Sequence, residues 1–290
     1  MEVMNIVVVG ASGYIGTGIT KHFKANRIHD KIYTAGRHME SDIQLDLSNI
    51  ECFDESQLDD VDYMIFASAV SGPDQCDKEQ KKAWKINVDS TVRVIRYAVS
   101  KGCRVLFLSS DAVYGDMIGK IYSEEDATEP RTAYGRMKKA VEDAFRGESL
   151  FKSLRLSYVA SGHDKFISYC LACMKKGETA DIFHPFYRNC VTMTEVIHIV
   201  DWFRDHFDDF EPSALNVCGT ELVSRVRIAD ELNRIYDSEL NYTIAMMGDA
   251  FFANRPRITQ MESRYLYEYG ILKPRSFSER LKKELEDMKR

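Results

Sequence analysis

Tyr134 and Lys138 stand four residues apart, which places a phenol and an ammonium on one face of a helix. A free tyrosine has a pKa of about 10, and a neighbouring cation favours the phenolate and lowers that value. Such a pair can give or take a proton near neutral pH. Tyr-x-x-x-Lys also occurs by chance, so its weight comes from what precedes it. The run Val105-Leu-Phe-Leu-Ser-Ser110 reads as a strand and leads into Asp111-Ala-Val-Tyr-Gly115. A serine at the end of such a strand is placed to hydrogen-bond a substrate oxygen.

A second set of residues suits an anionic ligand. Gly10, Gly13 and Gly16 follow the apolar strand Ile6 to Val9 directly. Glycines there let the backbone approach a pyrophosphate closely, and the helix that follows aims its first amides at the charge. The spacing GxxGxxG differs by one residue from GxGxxG. The run therefore implies dinucleotide binding, with Ser12, Tyr14 and Ile15 inside the loop. The next strand ends Thr34-Ala35-Gly36-Arg37-His38, with an arginine where an NAD site usually carries an acid. A guanidinium pairs with a 2′-phosphate bidentately, which points to NADP. Glu40 and Asp42 follow closely and keep NAD open, and an exposed surface arginine is the alternative reading of Arg37. Asp46-Leu47 suits an adenine amino group with the leucine beside the ring, or equally an ordinary turn aspartate.

The elements that must position these residues alternate. Strands are expected at Asn5–Val9, Lys31–Ala35, Tyr63–Ala67, Val105–Ser109 and Ser153–Tyr158. Helices are expected at Ile15–Asn26, Lys82–Lys101 and Ala133–Arg146. This pattern predicts an α/β fold: a Rossmann-type, doubly wound parallel sheet with the strand C-terminal ends along one edge. Residues 1–160 are read as the dinucleotide-binding domain. Residues 161–290 are read as a smaller, mixed substrate region, with 190–218 returning in part to the main domain. Ser161–Lys165 and Asp181–Asn189 look like loops. Leu215–Cys218 reads as a strand and Val226–Tyr236 as a helix. Ser276-Phe-Ser-Glu279 has capping-box spacing before a final helix from Arg280 to Lys289. The mixed charges of Leu281–Arg290 suggest a solvated face.

The chain has 290 residues, 44% of them hydrophobic, and a formal net charge of -6. The acidic balance disfavours nucleic acid as a partner. No run of about eighteen apolar residues is present, so no transmembrane helix is expected, and the N-terminus lacks a secretory layout. Seven cysteines, irregularly spaced, suggest reduced thiols and a cytoplasmic protein. Cys170 and Cys173 form a CxxC in an apolar stretch with no second pair nearby, which reads as packing thiols. His163 and His184 have no ligand partner at helical or hairpin spacing, so no metal is expected.

The joint pattern resembles the extended short-chain dehydrogenases/reductases of the nucleotide-sugar-modifying branch. The matching features are GASGYIG at 10–16, LDLSN at 45–49, INVDSTVRVI at 86–95, LFLSSDAVYGD at 106–116 and YGRMK at 134–138. LRLSYV at 154–159, LNVCGTELVSRVRIADEL at 215–232 and Arg255-Pro256 extend the likeness over nearly the whole chain. The resemblance implies that Tyr134 exchanges the proton, that Lys138 binds the nicotinamide ribose and that Ser110 orients the substrate carbonyl or hydroxyl. It places Ala67, Ser68 and Ala69 along the pyrophosphate and ribose, with Asn87 steadying the central helix. Ser109 also belongs to the cofactor set, and Ser157 and Tyr158 fall near the carboxamide. It also implies a homodimer through helices 82–101 and 133–147, where Val92, Ile95 and Val99 could serve either that face or the core.

Within this branch, dehydratases carry Asp-Glu after the catalytic serine or threonine; here Ala112 follows Asp111. Fucose-type epimerase-reductases carry a cysteine where Asp111 stands. Ser109-Ser110-Asp111 resembles the Ser-Thr-Asp of dTDP-4-dehydrorhamnose reductases, whereas Val113-Tyr114-Gly115 is equally at home in sugar epimerases. With Arg37, the expectation is NADPH-dependent reduction of a 4-keto-6-deoxy nucleotide sugar. The alternatives are an NAD-dependent 4-epimerase and a non-catalytic NADP-binding regulatory protein. Candidate substrate contacts by position are Ser71, Asp111, Tyr114, Arg155, His163, Phe166, Tyr187, Arg188 and Arg255.

Overall fold

The computed structural model describes residues 3–237 and 239–287. Seven strands form one sheet, in the spatial order 214–217, 151–156, 104–110, 63–66, 5–9, 31–36 and 43–44. Every pairing in it is parallel. The chain begins in the middle at 5–9 and winds outward to 43–44. It then returns to 63–66 and winds outward the other way. That reversal leaves a crevice beyond the carboxyl ends of strands 5–9 and 63–66, where ligands of such sheets bind. The expected strands of this sheet are all present, to within two residues at each end.

Period-two side-chain alternation divides the core into two halves. Ile6 and Val8 face one side, against Ile19 and Phe23 of helix Tyr14–Asn26 and Val196, Ile199 and Phe203 of helix Met193–His206. Val7, Val9, Met64, Phe66 and Phe107 face the other, against Val94, Ile95, Ala98 and Val141. Both faces are covered, which is why these strands read as continuous apolar runs. Ile95 is fully buried in this core, and Val92 and Val99 pack against it. A second, four-stranded sheet pairs 223–224, 187–188, 258–261 and 121–122. A third cluster, including Phe166, Ile167, Cys170, Cys173, Leu281 and Leu285, joins helices 165–176, 225–235 and 277–287. Both CxxC thiols thus serve as packing.

Two expectations are refined and one is corrected. The helix expected over 82–101 is present, unbroken from residue 80 to 100, with a π-helical stretch at Lys85–Ser90 inside it where Asn87 is buried. Asp181–Asn189 is not a loop, because Ala180–His184 pairs with Tyr242–Met246 and Tyr187–Arg188 joins the second sheet. The final helix runs Phe277–Asp287; Lys282, Lys283 and Glu286 are exposed, as expected of a solvated face, while Arg280, Leu281, Glu284 and Leu285 are buried and form a packed one. The Leu281/Leu285 spacing was the overlooked signal; residues 288–290 lie outside the described residues. The capping box is present, with Ser276 and Glu279 bonded reciprocally. Among the described residues no helix is long and apolar enough to cross a membrane.

Candidate active site

The crevice opens into a cleft of about 580 Å³ lined by Gly10, Ser12, Gly13, Arg37, Asp46, Leu47, Ala67, Ser68, Ala69 and Ser71. Its cradle is tight. Gly10 has φ +84°, and a Cβ there would lie 2.8 Å from the Ser68 amide nitrogen. A Cβ on Gly16 would meet the Gly10 carbonyl oxygen at 2.2 Å, so Gly16 seats the helix on the turn rather than lining the cleft. Helix Tyr14–Asn26 starts at Gly13 with no side-chain cap and no acid in its first turn. Its leading N–H groups are left for an anion. Lys82 and Lys165 add positive charge to the lining.

The second strand ends as the sequence suggested. Arg37 is exposed in the cleft lining, whereas Asp42 is turned back to the Thr34 amide and hydroxyl. Asp46 accepts from Ser48 N and Oγ, which together with the nearby Arg37 charge holds its carboxyl below the usual range. The cleft residues fit a dinucleotide: a glycine turn leading into an uncapped helix start for the pyrophosphate, and a guanidinium and a carboxylate at the far end.

Several expected cofactor residues lie elsewhere. Asn87 is buried and grips Val70 at both backbone N and O, at 2.8 Å each, so it shapes the 67–71 loop from behind. Tyr14 directs its hydroxyl to Val159 O and Ser161 Oγ, and Ile15 packs on the core. Ser109 points through the opposite face of its strand to Glu142 Oε1 at 2.5 Å. Ser157 is buried with its hydroxyl unpaired, and Tyr158 bonds Asp164.

Thr132 caps helix Ala133–Ala144 through Gly135 N, which puts Tyr134 in the first turn and Lys138 one turn on. Lys138 Nζ lies 5.8 Å from the Tyr134 ring centre. Its hydrogen bond, however, goes to Leu108 O at 2.6 Å, and it lies 4.3 Å from the Phe107 ring centre. The expectation that Lys138 lowers the Tyr134 pKa is therefore corrected. Burial, with Cys76 and Asp111 adding, pushes the phenol above its ordinary value, and burial pushes Lys138 down to about 7. Ser110, at the end of strand 104–110, donates to Asp111 Oδ1 at 3.0 Å.

Two candidate substrate contacts are structural. Arg155 is buried and paired with Glu142 at 2.8 Å, and its Nη1 donates to Tyr114 Oη at 2.8 Å. Tyr114 is buried against Asn216 and Ser123 O. Neither lines the cleft. Phe166 is buried in the third cluster, His163 is exposed and Tyr187 is half-buried. Arg255 is tied to Asp74, and Arg188 is buried beside Asp111. Among the described residues no three His, Cys, Asp or Glu side chains are grouped to hold a metal ion. Sequence reasoning missed Gly135, Glu142 and the Asp111–Arg188 pair. Only Gly135 left a signal, a glycine inside a helical pattern.

The parallel sheet and the glycine turn at its switch point are those of an extended short-chain dehydrogenase/reductase. The sequence matches the RmlD substrate binding domain over residues 4–290, and the chain belongs to that family. It is 22% identical over 231 residues to spore coat polysaccharide biosynthesis protein SpsK of Bacillus subtilis (strain 168), covering 78% of this chain and 79% of that protein. It is 26% identical over 140 residues, 48% of this chain, to methionine adenosyltransferase 2 subunit beta of Bos taurus, and spans 42% of that relative's length. A dTDP-4-dehydrorhamnose reductase from Clostridium acetobutylicum ATCC 824 superposes with a TM-score of 0.84 at 19% identity, covering 99% of this chain and 100% of that one. Other solved structures of similar fold include a reductase in complex with NADP, a protein in complex with NAD, and nucleotide-sugar 4-epimerases.

Proposed function

We propose that this chain is an NADPH-dependent oxidoreductase that reduces a 4-keto-6-deoxy nucleotide sugar, or a close relative, at carbon 4. When bound, the reduced nicotinamide supplies the hydride. Tyr134 gives its proton to the oxygen of the reacting carbonyl and is left as a phenolate. Burial makes that phenolate costly and so holds the proton on Tyr134 until an alkoxide, a stronger base, develops beside it. Lys138, one helical turn away, would lie against the nicotinamide ribose. Ser110 orients the reacting oxygen. The observation that carries the reading is Arg37: an exposed guanidinium in the cleft lining, with Asp42 turned away, suits a 2′-phosphate and hence a releasable reductant. The test is NADPH oxidation with a panel of keto-sugar nucleotides. Bound NAD that survives purification, with no NADPH turnover, would favour the 4-epimerase instead.

The likeness to a relative named as an adenosyltransferase subunit favours, as a second reading, a non-catalytic dinucleotide-binding protein. Retention of Ser110, Tyr134 and Lys138 supports the enzyme. A homodimer through helices 82–101 and 133–147 belongs to the same proposal and is tested by light scattering.

A further inference from the structure

Three arginines of the C-terminal half are interleaved with phenylalanine rings. The Phe186 ring lies 4.3 Å from the guanidinium carbon of Arg188 and 4.6 Å from that of Arg225. Arg225 also has the Phe166 ring at 4.9 Å and the Phe183 ring at 5.9 Å. Phe183 meets Phe251 edge to face at 5.3 Å, and the Phe251 ring lies 4.8 Å from the guanidinium carbon of Arg255. Both ends of this row reach the candidate site. Arg188 Nε faces Asp111, the neighbour of Ser110, at 3.3 Å. Arg255 is paired with Asp74, which stands between the cleft-lining Gly72 and Gln75. Phe166, beside the middle arginine, follows the cleft-lining Lys165. Arg225 therefore sits between the end of the site that holds Ser110 and the rim of the cleft. It is close enough to Arg188 and Arg255 for the charges to repel.

The two outer guanidiniums are committed. Arg188 is buried and gives Nη1 and Nη2 to the carbonyls of Tyr187, Arg257 and Pro256. Arg255 serves Asp74, the Phe251 carbonyl and Asn254 Oδ1. Arg225 differs. It is half-buried, its Nε is out of reach of water, and among the described residues no acceptor is bonded to its guanidinium. The acidic groups within electrostatic reach are Tyr158, Asp164 and Cys170. Asp164 spends its oxygens on the Tyr158 hydroxyl and on the amides of Ser161, Phe166 and Ile167. Burial pushes Tyr158 and Cys170 towards their neutral forms. A cation withdrawn from water costs free energy unless acceptors replace the water, and ring faces offset only part of that cost.

We propose that Arg225 is a substrate-binding residue whose guanidinium takes phosphoryl oxygens of a nucleoside diphosphate. The assignment rests on the nucleotide-sugar reading above and adds to it the residue that holds the substrate's charge. A nucleotide sugar carries that charge in the diphosphate attached to the sugar, so the anion must lie a short way from the reacting carbon. Arg225 stands one phenylalanine ring away from the guanidinium that faces Asp111. Its planar fork suits two phosphoryl oxygens, and apolar walls with a single placed cation are the usual make-up of such a site. The bound anion would also relieve the repulsion among the three arginines.

The test uses the full chain and the variants R225M and R225K. Calorimetric titrations employ dTDP and UDP, with thymidine and uridine as uncharged controls, in excess NADP and NAD so that the cofactor cleft is filled. R225M should bind the tighter of the two nucleotides about 10- to 100-fold more weakly than the wild type, the size of lost hydrogen bonds to a charged group. R225K keeps the charge, loses the fork and falls between. Nucleoside affinity should not move. With a keto-sugar nucleotide and NADPH, KM of R225M should rise by the same factor while kcat changes less than about threefold, the signature of lost ground-state binding. The Tm of ligand-free R225M should equal or exceed that of the wild type, because an unpaired cation has been removed; a cation kept only for packing would leave Tm lower. Equal nucleotide affinity in the wild type and R225M, a loss shared by the nucleosides, or a wild type that binds neither nucleotide would overturn the proposal. If R225M does not fold, R225K decides it. Nucleotide binding lost in R225M, in a chain that reduces no keto sugar, would sink the reduction and keep the site. Reduction with wild-type KM in R225M would keep the reduction and sink the site.

Discussion

Gly135 lies so close to the backbone of Ala112 that a Cβ on it would sit 2.0 Å from the Ala112 carbonyl oxygen. The first turn of the helix bearing Tyr134 is thereby pressed onto the turn that follows Ser110. Gly135→Ala must push these backbones apart. A displacement of about 1 Å in a catalytic group costs on the order of 10² in rate, so kcat should fall by about that much with NADPH affinity unchanged. Stopped-flow reduction and equilibrium cofactor titration check both halves; wild-type kcat in the variant would refute the contact's role.

Tyr134→Phe removes the proposed proton donor and keeps the ring. General acid catalysis is worth on the order of 10²–10⁴, and the variant should lose that factor in kcat. The cleft lining contains no part of Tyr134, so cofactor binding should persist. Reduction at the wild-type rate would remove Tyr134 from the chemistry.

Lys138 carries a pH-dependent cost. Burial pushes it down to about 7 in the folded chain, against about 10.4 when unfolded. Between these values the unfolded state binds more protons, so stability rises with pH there. Lys138→Met should abolish activity yet raise the Tm of the ligand-free protein at pH 7, and that gain should shrink as pH climbs towards 10. A Tm difference constant with pH would contradict this account of Lys138.

Arg37→Ala separates the two nicotinamide cofactors. A hydrogen bond to a charged group is worth about 1.5–3 kcal/mol, which is roughly a 10- to 100-fold loss of NADPH affinity. NADH affinity should be nearly unchanged. Equal losses for both cofactors would show that Arg37 does not read the 2′-phosphate.

Glu142 and Arg155 form a nearly buried pair under the sheet, with Ser109 and Tyr114 bonded to its two ends. Removing one partner of such a pair costs about 3–5 kcal/mol, whereas replacing both with apolar groups can be neutral. Chemical denaturation should show Glu142→Ala strongly destabilised and an Arg155→Met/Glu142→Leu double variant close to the wild type. If the double variant is the less stable of the two, the pair contributes more than its burial costs.

The parallel sheet was legible because five apolar runs alternate with amphipathic ones, and the glycine cradle because Gly10, Gly13 and Gly16 sit between a strand and a helix. Ser110, Tyr134 and Lys138 were singled out by spacing and resemblance, and the roles proposed for them rest on that. What failed was anything decided by a partner distant in sequence. Arg155 was a candidate substrate contact by position, and nothing local shows that Glu142 neutralises it. Ser109 and Ser110 are adjacent and chemically alike, and only the pleat sends one to Glu142 and the other to Asp111. Asn87 fell in a helical pattern whose π-helical stretch leaves no periodicity signal. The strands within 181–189 are short and pair with residues 223–224 and 242–261, so no local alternation marked them.

The central claim, hydride delivered to carbon 4 from a releasable reductant, is tested most directly with NADPH deuterated at the transferable position and a dTDP-4-keto-6-deoxy sugar. The prediction is one NADPH oxidised per sugar reduced, with deuterium at carbon 4 of the product. A product epimerised without NADPH consumption or deuterium incorporation would contradict it.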